Sequence, residues 1–203
     1  SSELALNWHT GSQKELVVFF VCYLLSMLLL GIRGLPAQLK IMKQPGTLVT
    51  DYVYRDGPDA ALFNMGLVGL VGMAYIGLVG GHFNGPTLGG VLTMTGFAAF
   101  GKHPRNIWPV MAGILLTAWL TSQSPSDPVV LTAALFGTTL APLAGGFGIV
   151  TGLLAGFVHL SVVTHVGTFH AGMNLYNNGF AGGLTATLFI CTIRWLHLHR
   201  RSE

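Results

Sequence analysis

The chain has 203 residues, of which 51% are hydrophobic and only 8% are charged, and its formal net charge is +3. An average soluble domain has about 25% charged residues, so this composition, with a mean hydropathy of +0.62, excludes an ordinary soluble domain and predicts an integral membrane protein. The few cations flank apolar segments and form no basic face, which argues against a nucleic-acid partner.

Seven apolar segments follow one another along the chain. They lie near residues 16–32, 60–81, 84–100, 107–122, 129–144, 148–166 and 179–196. Several have only 16 to 19 residues, the short end for a membrane crossing, which predicts an all-α polytopic protein of about seven spans with some broken or half-helices. We expect residues 1–203 to form a single membrane domain that contacts lipid and assembles as a homo-oligomer or with a partner membrane chain.

Lys and Arg residues follow the first, third and seventh apolar segments. They are Arg33, Lys40, Lys43, Arg55, Lys102, Arg105, Arg194, Arg200 and Arg201. With seven crossings, all three groups lie on one side, and the positive-inside rule makes that side cytoplasmic. The segment 123–128 carries no Lys or Arg and is expected outside, whereas the C-terminus is expected in the cytoplasm.

The polar segment 33–59 is expected to be a cytoplasmic loop. Within it, Leu35 and Leu39 alternate with Lys40 and Lys43, which predicts a short amphipathic piece on the membrane surface.

Two Asn-Gly clusters lie at the mouths of apolar segments: residues 82–90, HFNGPTLGG, and residues 174–183, NLYNNGFAGG. Helix-breaking polar residues free backbone groups that lipid cannot satisfy, so such residues are tolerated where they are buried in protein or line a wet cavity. Asn offers an uncharged donor and acceptor, and Gly lets the backbone approach a solute closely. We therefore predict a path for a small polar solute or ion lined by Asn84, Gly85, Thr87, Asn174, Asn178, Gly179 and Asn64.

The two clusters also suggest an internal repeat, because residues 84–95 can be laid on residues 178–187 with one residue less in the second copy. On the predicted topology the copies run in the same direction, as parallel repeats do.

Two other functions remain open on the sequence. The first is a non-transporting membrane subunit whose glycine-rich faces bind partner helices. The second is a metal site, an intramembrane enzyme or a pH gate, because four histidines lie in or near the outer half of the membrane: His82, His159, His165 and His170. The candidates for metal ligands or gating residues are His82, His165 and His170. Their spacing differs from helical zinc motifs, and the chain lacks a P-loop, a nucleophile elbow and a CxxC pair, so neither an enzyme nor a cofactor is expected. No Asp or Glu falls within a predicted span, which favours passive permeation over coupled transport.

The stretch from Asn64 through Gly90, together with the cluster 174–183, resembles an uncharacterised family of bacterial multi-pass membrane proteins, a domain of unknown function. The resemblance implies a bacterial inner-membrane location but no activity. Members of that family are longer, so this chain is expected to correspond to the C-terminal half of one. The turns Phe83-Asn84-Gly85 and Asn177-Asn178-Gly179 are also similar to the Asn-Gly turns of urea transporters, which implies only that such turns lie at a pore mouth.

Overall fold

The computed structural model describes residues 12–46, 50–166 and 174–199, and every regular element in these ranges is helical. The α-helices are α1 Ser12–Leu30, α2 Leu35–Met42, α3 Tyr52–Asp56, α4 Pro58–Leu78, α5 Gly85–Phe97, α6 Pro104–Leu120, α7 Pro128–Gly137, α8 Ala141–Phe147, α9 Ile149–Val166 and α10 Asn174–His199. The predicted all-α class is confirmed.

Among the described residues, five helical stretches are long and apolar enough to cross a membrane. They are Gln13–Leu30, Pro58–Leu78, Pro128–Phe147, Ile149–Val166 and Tyr176–Leu196. The other two predicted spans correspond to α5 and α6, which have 13 and 17 residues. A straight crossing takes about 20 residues, so the structure supports a helical membrane protein but does not confirm the count of seven spans.

The stretch Pro128–Phe147 is a broken helix. It consists of α7, a 3-10 turn at Thr138–Leu140, and α8. Pro142 lies in the first turn of α8, where its missing N–H and its ring are incompatible with continuing the preceding helix. The break lies in the middle of the stretch, at residues 138–140.

Glycines bring neighbouring helices into close backbone contact. A Cβ on Gly66 of α4 would lie 2.8 Å from the Leu24 carbonyl oxygen of α1, and a Cβ on Gly156 of α9 would collide with the Val110 carbonyl oxygen of α6. Small residues allow this approach, from which membrane helices gain van der Waals contact. By contrast, Gly183 on α10 has no such neighbour within 4 Å among the described residues.

The start of α6 meets the ends of α2 and α8 at one end of the helix bundle. A Cβ on Gly145 of α8 would collide with the carbonyl of Pro45, just beyond α2, and one on Gly46 would collide with the carbonyl of Gly101, before α6. Helix α9 begins two residues after α8 ends, so it starts at the same end. We call this region the basic end, because the exposed cations Lys43 and Arg105 flank these helix termini.

Helix α2 is the amphipathic piece expected in the segment 33–59. Its residues Gln38 and Ile41 are buried, whereas Leu35 and Leu39 are exposed. The buried face packs on α4 and α6, so α2 closes part of the basic end.

The two Asn-Gly clusters have different local structures. Asn84 caps the start of α5, whereas α10 already begins at Asn174, so Asn178 and Gly179 lie inside a continuous helix. The alignment behind the repeat therefore pairs a helix cap with a helix interior, and the repeat is not confirmed. The second cluster was expected to interrupt a helix; in the structure it does not, because Asn and Gly are tolerated in a helix whose packing compensates their low propensity.

Candidate functional site

The polar groups of the first Asn-Gly cluster hydrogen-bond to one another at the start of α5. The Thr87 amide donates to Asn84 Oδ1 at 3.1 Å, and the Asn84 amide donates to Thr87 Oγ1 at 3.0 Å. The buried Thr87 hydroxyl also donates to the His82 carbonyl at 2.9 Å. This is a capping box, which satisfies amides that the helix itself cannot pair. Gly85, at the first position of α5, has open space on its Cα side.

In the second cluster, Asn178 is buried and pairs with a histidine. Its Oδ1 lies 3.1 Å from Nε2 of His159 on α9, and His159 is fully buried. A Cβ on Gly137 of α7 would lie 2.9 Å from Cδ2 of the same ring, so the pair sits where α7, α9 and α10 meet. Gly179 faces open space on α10.

The structure does not bring the two clusters together. Helix α7 packs against both α5 and α10, whereas α5 and α10 do not pack extensively on each other. Asn174 begins α10, and its side chain lies outside the described parts of the chain. The path-lining role of these residues stays a prediction.

The candidate histidines for a metal site or a pH gate are dispersed. His82 is exposed before α5, His165 places Nδ1 2.6 Å from the Ser161 carbonyl in the last turn of α9, and His170 lies outside the described residues. Within residues 12–46, 50–166 and 174–199, no group of three His, Cys, Asp or Glu side chains is placed to hold a metal.

Asn64 ties three segments together at the basic end. It is fully buried; its Oδ1 accepts from Gln38 Nε2 at 2.8 Å, and its Nδ2 donates to the carbonyls of Ala98 and Lys102, both at 2.7 Å. Both of its donor hydrogens are therefore used by the protein, and Asn64 fixes α2 and the turn after α5 against α4.

The residue that sequence reasoning missed is Lys102, which is only 3% exposed. Its Nζ donates to Oγ1 of Thr138 at 3.1 Å and lies 3.4 Å from Oγ1 of Thr139, at the break between α7 and α8. The Phe97 ring centroid is 5.0 Å away. The ion pairs found in the described structure do not include Lys102. The sequence analysis used Lys102 only as a marker of the cytoplasmic side. The feature that could have indicated its burial is the shortness of the segment 101–106, which leaves little room for its side chain to reach water.

A cleft of about 460 Å³ opens at the basic end. Its polar lining includes Lys43, Gln44, His103, Arg105 and Asn106, and no Asp or Glu is among the described residues that line it. The first residues of α9 form the opposite wall. The cleft therefore combines two cations with the start of α9, whose first backbone amides have no partner within the helix.

His103 is a buried polar residue of this cleft, with 1% of its surface exposed. Its Nε2 lies 3.0 Å from the Gln44 carbonyl, and His103 is the N-cap of α6, where the side chains of His103 and Asn106 form a capping box with each other's backbone amides. Burial lowers the pKa of His103; the bond to Gln44 opposes that shift, and the charge of Arg105 adds to it. The neutral ring then donates from Nε2 to the Gln44 carbonyl, and its other nitrogen is free to act as the acceptor of the capping box.

Comparison with known proteins gives a match to the family described as "Protein of unknown function (DUF1576)", over residues 33–195. The chain belongs to this family. The matched range contains Lys102 and the whole lining of the cleft, and it confirms the resemblance to a family of unknown function. No curated protein and no solved structure matches the chain.

Proposed function

We propose that this DUF1576 protein passes a small anionic solute across the membrane and that Lys102 selects the charge of that solute. The observation that carries the proposal is the position of its Nζ. Thr138 and Thr139, which it contacts, are the eleventh and twelfth residues of the 20-residue stretch Pro128–Phe147. If that stretch spans the bilayer, the ammonium lies near the midplane, where an ionisable residue is a functional-site hypothesis by default.

The cost of this charge supports an anionic partner. A Lys at the centre of a membrane helix costs about 2.5–3.5 kcal/mol on insertion scales. Two threonine hydroxyls and an aromatic ring replace only part of its hydration, and no carboxylate of the described residues forms an ion pair with it. A passing anion offsets this cost, whereas a cation at the same position is repelled. A helix broken at the same depth supports the proposal as well, because discontinuous helices commonly form transporter sites near the midplane.

The seven crossings are part of the same proposal. Helices α4 and α5 run antiparallel, since their residues pair in opposite order. Gly72 of α4 lies against Met94 of α5, whereas Asn64, which comes earlier in α4, bonds to Ala98, which comes later and just after α5. If α5 and α6 also cross, the Lys and Arg groups lie on one side, which the positive-inside rule makes cytoplasmic. We accordingly propose a bacterial inner-membrane protein with the basic end and the C-terminus in the cytoplasm.

The test is flux into phosphatidylcholine liposomes that contain the purified protein. We expect the wild type to pass small anions such as chloride, nitrate, formate and phosphate faster than urea or potassium. Lys102→Met, which keeps the length of the side chain and removes its charge, is expected to lower anion flux at least about tenfold, because an attraction of a few kcal/mol is lost. Lys40→Met is the matched control, since Lys40 is an exposed cation at the same end.

Folding of each variant is followed by its thermal unfolding midpoint and its elution volume. The proposal is wrong if folded Lys102→Met passes anions at the wild-type rate. It is also wrong if the wild type passes urea or potassium but no anion. Absence of any flux refutes transport and favours the non-transporting subunit.

A further inference from the structure

A second, apolar cavity of about 180 Å³ lies between α8 and α10, beside the break between α7 and α8. Among the described residues that line it, Thr139 has the only polar side chain. An apolar cavity of about 150 Å³ is large enough to hold a benzene molecule, so this cavity has room for a hydrocarbon group of that size. Its walls include Pro142, Gly146 and Phe147 of α8 and Ala186 and Ile190 of α10.

The Thr139 hydroxyl connects this cavity to the buried ammonium of Lys102. Thr139 is exposed, and its Oγ1 lies 3.4 Å from Lys102 Nζ. Because this oxygen accepts from the ammonium, the hydroxyl hydrogen is left to donate, and within the described parts of the chain it has no acceptor. An anionic oxygen that accepts from this hydroxyl lies within about 6 Å of Nζ, a distance at which an opposite charge still stabilises an ion.

Lipid tails do not satisfy this arrangement. A lipid tail is as apolar as a leucine side chain, so the apolar walls by themselves do not favour a ligand over lipid. The hydroxyl and the ammonium behind it do, because an acyl chain offers neither an acceptor nor a negative charge. The occupant that satisfies both parts of the cavity has an apolar group attached to an anionic oxygen group.

We propose that the cavity between α8 and α10 binds an organic anion, a carboxylate or sulfonate that carries an apolar group of about the size of a benzene ring. The anionic group accepts from the Thr139 hydroxyl beside Lys102, and the apolar group lies along Pro142 and Ile190. This inference rests on the proposed function, because it names the class of solute whose charge Lys102 selects.

Three probes separate the contributions of the charge and of the apolar group. Benzenesulfonate has both, methanesulfonate has the charge without the ring, and methyl phenyl sulfone has the ring without the charge. Sulfonates stay ionised at pH 7, so they do not cross the bilayer as neutral acids. We expect calorimetric titration of the protein in phosphatidylcholine nanodiscs, corrected with empty nanodiscs, to give saturable binding of benzenesulfonate. Its affinity is expected to exceed that of either other probe at least about tenfold, because each of them lacks one of the two contacts.

The first set of variants changes the polar contacts. Thr139→Val keeps the shape of the side chain and removes its hydroxyl, so it is expected to weaken benzenesulfonate binding about tenfold. Thr139→Ser keeps the hydroxyl and is the matched control, with affinity expected to be close to that of the wild type. Lys102→Met is expected to remove the preference for benzenesulfonate over the neutral sulfone, since both probes have the same ring.

The second set of variants fills the cavity. Gly146→Leu is expected to abolish saturable binding of both ring-bearing probes, because Gly146 lines the cavity and a Cβ there meets no atom within 4 Å. Ala186→Leu fills the cavity from the α10 side and is expected to have the same effect. Gly183→Leu is the control, because Gly183 lies three residues earlier on α10, has open space and is not part of the lining. The thermal unfolding midpoint of each variant reports whether it folds.

Binding of benzenesulfonate that both Thr139→Val and Gly146→Leu weaken supports the organic anion as the ligand. Equal affinity of the wild type for benzenesulfonate and methanesulfonate overturns the proposal, as does binding that survives in folded Gly146→Leu and Ala186→Leu. Native mass spectrometry tests the lipid alternative. A phospholipid that the wild type retains, that Gly146→Leu loses and that benzenesulfonate does not displace also overturns the proposal.

The flux assay distinguishes the failure of this inference from the failure of the proposed function. If chloride flux depends on Lys102 but benzenesulfonate does not bind, the organic anion is wrong and the selection of anions stands. If benzenesulfonate binds as expected but no anion passes, transport is wrong and the binding site between α8 and α10 stands.

Discussion

Replacing Asn64 tests whether the basic end is held together as the structure describes it. Asn64→Leu keeps a side chain with the same branching and number of heavy atoms but removes three hydrogen bonds, one from Gln38 and two to the carbonyls of Ala98 and Lys102. All three partners then remain in a buried environment. The expected result is a large loss of free energy of unfolding without any direct change to the cleft or to the Lys102 side chain.

The magnitude follows from the number of bonds. Each buried group left unpaired costs about 1–3 kcal/mol in soluble proteins, whereas side-chain hydrogen bonds in membrane proteins average about 0.6 kcal/mol. Three bonds therefore give a lower bound of about 2 kcal/mol and an upper bound of about 9 kcal/mol. Asn84→Ala, which removes one capping bond at the start of α5, is expected to cost about 1 kcal/mol.

The assay is denaturant-induced unfolding in mixed micelles, followed by tryptophan fluorescence and helical circular dichroism. Asn64→Asp sharpens the comparison, because it keeps the acceptor for Gln38 but points a second oxygen at two carbonyl oxygens. We expect Asn64→Asp to be at least as destabilising as Asn64→Leu. The reasoning is refuted if Asn64→Leu costs less than Asn84→Ala, or if Asn64→Asp is as stable as the wild type.

Two further predictions concern helix packing and topology. Gly156→Leu is expected to lower the free energy of unfolding by at least about 1–3 kcal/mol, since it forces α9 away from α6. Gly183→Leu is the control and is expected to change that free energy by less than about 0.5 kcal/mol. Equal effects of the two variants in the same unfolding assay would contradict the close contact. In a background without the two native cysteines, Ser124→Cys is expected to react with an impermeant maleimide in intact cells, and Lys43→Cys only after permeabilisation. Labelling of both positions from the same side would contradict seven crossings.

The sequence determined the class of this protein and most of its helices. Low charge and long apolar segments predicted a helical membrane protein, because lipid accepts only segments whose backbone groups pair internally. The segment 148–166 agrees closely with α9, because hydropathy is a local property of the chain. The asymmetry of Lys and Arg is also a property of the sequence alone, and it carries the topology prediction.

Local rules failed where neighbours decide the outcome. Asn178-Gly179 has the composition of a turn, yet it lies inside α10, where burial of Asn178 against His159 compensates for its weak helix propensity. The helix bundle thus assigns this amide a contact that its own segment does not reveal.

Only the tertiary structure decided what the polar groups contact. Lys102 reads as an ordinary loop cation in the sequence; it is buried because α7 breaks beside it and its stem reaches the hydroxyls of Thr138 and Thr139. His103, Arg105 and Lys43 come from two separate segments and share a cleft because α2 and α6 meet at the same end of the bundle. Hydropathy and capping depend on nearest neighbours along the chain. Burial, and the charge of the side chains that line a cavity, depend on residues that are distant in sequence and close in space.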